Sequence, residues 1–187
     1  MAEPLTKQDV RRLVKERKTA VSPEDKRFFS ERGTAALLRH PAWRTARTVC
    51  LYWALPDEVQ THDLCRLAAK EKTVLLPAVQ GDDLVLRRFT GDGCLSSDNA
   101  FHIGEPIGED WQDLEHIDLV LVPGVAFDRQ LHRIGRGRGF YDRMLPGIPA
   151  FKIGICFDFQ LFDAIPTDSL DVPVDDLIVC ARSEENL

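Results

Sequence analysis

Two hydrophobic periods alternate along the chain, and the changes between them predict an α/β protein. Over residues 5–19, Leu5, Val10, Leu13 and Val14 recur among charges at helical spacing. Thr6 stands where a cap is needed, and Lys7 and Arg11 fall four apart on one face. Ser22-Pro23-Glu24-Asp25 starts a second helix: a capping hydroxyl, a proline suited to the first turn, and acids at the positive end of the dipole. That helix is expected to run to about Arg39, with Phe28, Phe29, Leu37 and Leu38 buried.

Thr48 to Trp53 is β-branched and aromatic and reads as a buried strand. A loop with Glu58 follows, then a helix from Thr61 with Leu64, Leu67 and Ala68 on its inner face, then a strand from Thr73 to Val79. Strand–helix–strand is a βαβ unit, and loops after strand C-termini are the usual ligand positions in open α/β sheets. Trp53 and Glu58 therefore stand at a plausible site, although a surface carboxylate would also suit Glu58. Gly81-Asp82-Asp83 is a turn into a weakly alternating edge strand, Leu84 to Phe89. Residues 90–113 read as a long irregular connection, in which Phe101, Ile103 and Trp111 could line a pocket or anchor the loop. Ile117 to Val122 is the clearest buried strand. Phe140 to Leu145 opens a helix, and Phe151 to Phe157 and Leu177 to Cys180 are further strands.

Composition adds limits. The 187 residues are 44% hydrophobic and 29% charged, with a net charge of −6, which suits one globular domain. No apolar run is long enough for a membrane span, and the N-terminus lacks the order of a signal peptide, so a cytoplasmic protein is expected. The five cysteines show no C-x-x-C pair and the five histidines no metal-binding spacing. Buried, reduced thiols are the expectation.

The candidate chemistry concentrates in Arg133-Ile134-Gly135-Arg136-Gly137-Arg138-Gly139-Phe140-Tyr141-Asp142-Arg143. Glycines at alternate positions let backbone N–H groups converge into an anion-binding nest. Clustered arginines in an acidic chain point to phosphate. The stretch is neither a Walker A loop nor a dinucleotide fingerprint, because the third glycine is missing at the needed offset. Asp142, just behind the nest, is the type of ligand Mg²⁺ prefers, though acids also favour the first turn of a helix.

Three pieces together resemble the 5-formyltetrahydrofolate cyclo-ligase (methenyltetrahydrofolate synthetase) family. They are Lys7-x-x-x-Arg11; Glu58-Val59-Gln60-Thr61 after Leu51-Tyr52-Trp53; and Val122-Pro123-Gly124-Val125-Ala126-Phe127-Asp128 followed by the glycine-rich stretch. The chain departs from the family pattern at Phe140, where a tyrosine is usual, at Leu131, where a glycine is common, and at Ile134, where leucine is.

The resemblance implies a single domain over residues 1–187, a three-layer sandwich around a mainly parallel sheet. That fold is similar to the one shared by sugar-phosphate isomerases and CoA-transferases. It also implies ATP-dependent conversion of 5-formyltetrahydrofolate to 5,10-methenyltetrahydrofolate with Mg²⁺, by a monomer that binds neither nucleic acid nor membrane. Carried over by position, Lys7, Arg11 and Arg133, Ile134, Gly135, Arg136, Gly137, Arg138, Gly139, Phe140 and Tyr141 would bind ATP. Asp142 and Asp171 would hold the metal, with Asp175 and Asp176 as neighbouring candidates. Trp53, Glu58 and the loop Arg136 to Phe140 would bind the folate, Glu58 through the pterin. Arg133 and Tyr141 would stand at the reacting group, Tyr141 as a positioning residue and not a base. Two other classes stay open. An isomerase or CoA-transferase relative would need no ATP, and an RNA- or nucleotide-binding module would lose affinity steeply with salt.

Overall fold

The computed structural model describes residues 5–98 and 104–181. Helix α1 (Lys7–Lys18) starts at a capping box: the Thr6 hydroxyl accepts from Asp9 N, and the Asp9 carboxylate accepts from Thr6 N. Only Val10 and Val14 of its apolar positions are buried; Leu5 is 47% exposed and Leu13 half-buried, so the buried stripe is narrower than expected. Helix α2 (Pro23–Arg39) is capped by Ser22, which accepts from Asp25 N at 3.0 Å. Its inner face is Phe29, Gly33 and Leu37. Phe28, expected inside, is 51% exposed, because neighbouring residues in a helix point about 100° apart. A Cβ at Gly33 would collide with Cys180 Sγ, so glycine lets α2 lie close on the sheet.

After α3 (Pro41–Thr45) come β1 (Thr48–Cys50), α4 (His62–Ala68), β2 (Thr73–Gln80) and β3 (Asp83–Arg88). Regular pairing of β1 stops at Cys50, not Trp53; one more bond, Leu51 N to Leu75 O at 2.9 Å, follows before the chain turns out of the sheet. Thr61 opens α4 without capping it, since its hydroxyl donates to Tyr52 O instead. Leu67 is 46% exposed, leaving Leu64, Cys65 and Ala68 inside. The β2–β3 hairpin has a two-residue turn with Gly81 at φ 65°, as a tight hairpin requires.

The connection after β3 holds short strands β4 (Leu95–Ser96) and β5 (Glu105–Pro106). Trp111 anchors it, donating its backbone N–H to Leu86 O at 2.6 Å and packing on the core; Phe101 and Ile103 lie outside the described residues. Then follow β6 (Leu119–Val122), β7 (Ala126–Asp128), β8 (Arg133–Ile134), α5 (Phe140–Met144), β9 (Phe151–Phe157), β10 (Leu161–Phe162) and β11 (Asp176–Cys180).

The main sheet has six strands in the order β11-β9-β6-β1-β2-β3, parallel except for the edge strand β3. The fold is therefore α/β with a mainly parallel sheet. Strand residues alternate between two cores. Val49, Leu119, Leu121 and Ile153 face Phe29, Leu37 and Leu64 of the helices. Cys50, Val120, Val122 and Cys156 face the other way, toward Leu145 and Ile148. A small sheet, β10-β7-β8, sits under α1, where Val10 and Val14 meet Ala126 and Ile134. Four of the cysteines are fully buried and none is in a disulfide, as expected; burial pushes the thiols of Cys50, Cys65 and Cys180 up to about 12.

Candidate active site

The strand order reverses direction between β1 and β6: from β1 the chain continues outward to β2 and β3, and from β6 toward β9 and β11. Loops leaving the C-terminal ends of two such neighbours diverge and open a crevice. A cleft of about 680 Å³ lies there, with Trp53 and Glu58 from the loop after β1 and Pro123 and Gly124 from the loop after β6. Apart from the alternative acids Asp175 and Asp176, the site residues expected from the sequence line this one cleft: Lys7, Arg11, Trp53, Glu58, Arg133 through Tyr141, Asp142 and Asp171.

One end is cationic. The β7–β8 hairpin is pinned by Asp128, a buried carboxylate that accepts from Gln130 N, His132 N, His132 Nδ1 and Ile165 N. Burial works against its charge, but the bonds from His132 and Ile165 outweigh it and hold its pKa below the usual 3.8. Leu131 in the same turn has φ 69°, the left-handed region that explains why glycine is common there. The hairpin delivers Arg133, which is 4% exposed. Its Nη2 donates to Asp142 Oδ1 at 2.6 Å and its Nη1 to Pro123 O at 3.4 Å, while Nε has no hydrogen-bond partner among the described residues.

Beyond Ile134, Gly137 (φ 105°) and Gly139 (φ 67°) take the backbone through conformations that L side chains rarely adopt. Gly135 has no positive φ, so only two of the three glycines use that freedom. Arg11 of α1 holds it, donating Nε to Gly135 O at 2.9 Å. Phe140 lies between two guanidiniums, 5.4 Å from Arg138 Cζ and 5.6 Å from Arg143 Cζ. That contact uses the ring face, so the missing hydroxyl does not weaken it. Burial lifts the Tyr141 phenol well above its ordinary 10, which keeps it protonated and suits a positioning residue better than a base.

Lys7 Nζ sits between Asp168 (2.6 Å) and Asp171 (2.5 Å). Burial opposes its charge, but the two carboxylates outweigh it and raise its pKa. The Val172 N–H reaches Asp142 Oδ1 at 3.4 Å, which brings the acidic loop against Asp142. Of the other two candidate acids, Asp175 accepts from Lys152 N and Asp176 pairs with His40; neither lines the cleft. Among the described residues no group of three or more His, Cys, Asp or Glu is gathered to hold a metal by itself. Two carboxylates lining the same cleft as the glycine loop would fit Mg²⁺ if it entered with a phosphorylated ligand, because Mg²⁺ usually takes one or two carboxylates and completes its shell with phosphate oxygens and water.

The other end is apolar and aromatic. Pro77 and Val79 of β2 and Leu84 of β3 join Tyr52, Trp53 and Leu55. His62 stacks on Trp53, with centroids 4.1 Å apart and planes 24° apart. Glu58 stands at this end, its side chain 14% exposed. Oε2 accepts from Leu55 N at 2.9 Å, and Oε1 accepts from Arg136 Nε at 3.2 Å and Nη2 at 3.1 Å.

A profile of the 5-formyltetrahydrofolate cyclo-ligase family matches residues 4–180. The chain belongs to that family. It is an enzyme, a ligase, by that membership. It is 33% identical over 167 residues to the probable 5-formyltetrahydrofolate cyclo-ligase of Schizosaccharomyces pombe, covering 79% of this chain and 81% of the relative. The 5-formyltetrahydrofolate cyclo-ligase of Escherichia coli strain K12 is 26% identical over 170 residues, covering 87% and 93%. Among solved structures, the 5,10-methenyltetrahydrofolate synthetase of Aquifex aeolicus superposes with a TM-score of 0.83 at 36% identity, covering 94% of this chain and 90% of that one.

Asp57, His62, Asp168 and the apolar wall from β2 and β3 were not anticipated. Strand alternation could have assigned Pro77 and Val79 to one face, but not to the cleft end of it. Asp57 and Asp168 matter through partners 79 and 161 residues away, which no local spacing encodes.

Proposed function

We propose that the cleft cyclises 5-formyltetrahydrofolate to 5,10-methenyltetrahydrofolate, with ATP converted to ADP and phosphate. The observation that carries this is the union in one cleft of an aromatic end bearing a carboxylate and a cationic, N–H-rich end. A pterin is flat and presents adjacent N–H donors, which suit Trp53 and Glu58. A triphosphate is polyanionic, which suits Lys7, Arg11, Arg133 and the loop from Gly135 to Tyr141. The relatives' names point to the same folate substrate and product.

The chemistry follows from the substrate. An N-formyl group is an amide and a poor electrophile. Transfer of the γ-phosphoryl to the formyl oxygen breaks its bond to ADP and leaves an imidate-like phosphate. N10 then attacks the formyl carbon and loses its proton, and phosphate departs with the C–O bond as the ring closes. Arg133 lines the cleft with its guanidinium fixed by Asp142 and Pro123, which preorganises a positive charge where negative charge develops. Tyr141, protonated, orients the reacting groups. Lys7 and Arg11 reach the cleft from α1 and draw the phosphates against the glycine loop, so the work is positioning and charge stabilisation. Asp142 and Asp171 would hold Mg²⁺, which neutralises phosphate charge when bound.

The test is direct. Protein mixed with 5-formyltetrahydrofolate, Mg²⁺ and ATP should generate the absorbance of the methenyl product, and omission of ATP should abolish it. Folded protein that gives no ATP-dependent signal overturns the proposal.

A further inference from the structure

Arg136 is bound on two sides. Nη2 donates to Asp57 Oδ1 at 2.7 Å, and Nε and Nη2 reach Glu58 Oε1 at 3.2 and 3.1 Å. Asp57 is itself held by Lys18 Nζ at 3.0 Å, at the end of the helix that carries Lys7 and Arg11. Burial works against the Asp57 charge, but Arg136 and Lys18 outweigh it and keep it ionised. Arg136 Nη1 makes no hydrogen bond to any described residue. The carboxylate assigned to the pterin is thus neutralised by an arginine of the nucleotide loop, and that arginine has a second anchor that no substrate is assigned to.

Resting on the folate and nucleotide sites proposed above, we infer that Asp57 is a positioning residue that retains Arg136 in the cleft when the folate takes Glu58, so that folate binding strengthens nucleotide binding. Without folate, the Arg136 charge is spent on Glu58 and is a weak phosphate ligand. When pterin N–H donors occupy Glu58 Oε1, the guanidinium loses that partner. Nη2 remains on Asp57, which keeps the group beside the glycine loop, and Nε and Nη1 become available to phosphate oxygens. Lacking Asp57, the released side chain would turn into solvent, since it is already 47% exposed. The two sites are then coupled through one shared cation, and linkage makes the effect reciprocal.

The test measures binding of the non-hydrolysable analogue AMP-PNP with Mg²⁺ by calorimetry, with and without saturating 5-formyltetrahydrofolate. In the wild type the folate should tighten the analogue about fivefold or more. Asp57→Asn should bind each ligand alone within about twofold of wild type, because Glu58 still holds Arg136 in the absence of folate, yet the tightening should fall below about twofold. Arg136→Lys, which keeps the charge but lacks the fork, should lose the tightening too and serves if Asp57→Asn folds poorly. Absence of tightening in wild type that binds both ligands overturns the inference and leaves the proposed function standing. Full tightening in Asp57→Asn also overturns it. Failure of wild type to bind the folate at all overturns both, and the turnover assay identifies that case separately.

Discussion

Asp142 Oδ1 lies 2.6 Å from Nη2 of Arg133, a guanidinium whose Nε has no partner among the described residues. Removing the acid leaves a buried cation uncompensated. Asp142→Ala should therefore destabilise the ligand-free protein by about 2–3 kcal/mol, somewhat less than for a fully buried pair because Asp142 is 21% exposed. Urea unfolding would show it. Asp142→Asn keeps an acceptor for Arg133 but removes the charge. It should raise the Mg²⁺ concentration for half-maximal rate roughly tenfold or more. An unchanged Mg²⁺ response takes Asp142 out of the metal site.

Trp53 is supported from behind by His62, whose Nε2 lies 3.0 Å from Ala54 O. Burial lowers the His62 pKa, so the ring is neutral at pH 7 and donates to that carbonyl. His62→Ala frees Trp53 to tilt. An aromatic pair contributes about 0.5–1.5 kcal/mol, so the KM for the folate should rise about twofold to tenfold. The KM for ATP should stay unchanged. Steady-state kinetics with each substrate varied distinguishes this from a general loss of fold, which would lower kcat and leave the two KM values linked.

Gly137 has φ 105°, and a Cβ there would meet Arg11 only at ordinary contact distance, 3.7 Å. The penalty of Gly137→Ala is thus conformational and not steric, on the order of 1–3 kcal/mol. Relaxation of the loop should turn N–H groups away from the nest. The KM for ATP is expected to rise about tenfold, with a melting temperature close to wild type, since the loop carries no core residue.

Asp128 fixes the hairpin that carries Arg133. Its folded pKa is depressed below the ordinary 3.8, so the stability it contributes is full above that value and is lost as pH falls through the lower, folded value. Asp128→Asn should be less stable than wild type at pH 7, by about 1–3 kcal/mol. The difference should shrink as pH drops below about 4. Urea midpoints measured against pH in both proteins check the sign; a difference independent of pH would mean that shape and not charge matters at this position.

The strands of the main sheet were readable because residues such as Leu119 to Val122 are buried on both faces and form continuous apolar runs. Helix starts were readable at Thr6 and Ser22 because capping chemistry is local. Phe28 and Leu67 were misassigned because a helix wider in apolar residues than its contact surface does not reveal which of them stays outside. The helix from Thr61 is legible, but the Thr61 hydroxyl donates to the carbonyl of Tyr52 nine residues earlier, a partner supplied only by the folded loop. In the site, the glycine-rich stretch declared itself. Glu58 is legible as a loop residue after a strand end, the site roles of Lys7, Arg11 and Asp171 rest on the family resemblance, and their convergence on one cleft is a matter of sheet order that no single segment contains.

That sheet order has a consequence for how the enzyme can change. The aromatic end rests on β1, β2 and β3, and the cationic end on the loops after β6, the β7–β8 hairpin and α1. Two arginines join the halves: Arg136 reaches Glu58, and Arg143 reaches Asp83 of β3 at 2.9 Å. Substitutions at Pro77 or Val79 would therefore be expected to reshape the apolar wall while the glycine loop keeps its form. A drift in the shape of the cleft would be expected to collect at Pro77 and Val79 of β2, away from Asp83, where Arg143 ties the outer strand to the glycine loop.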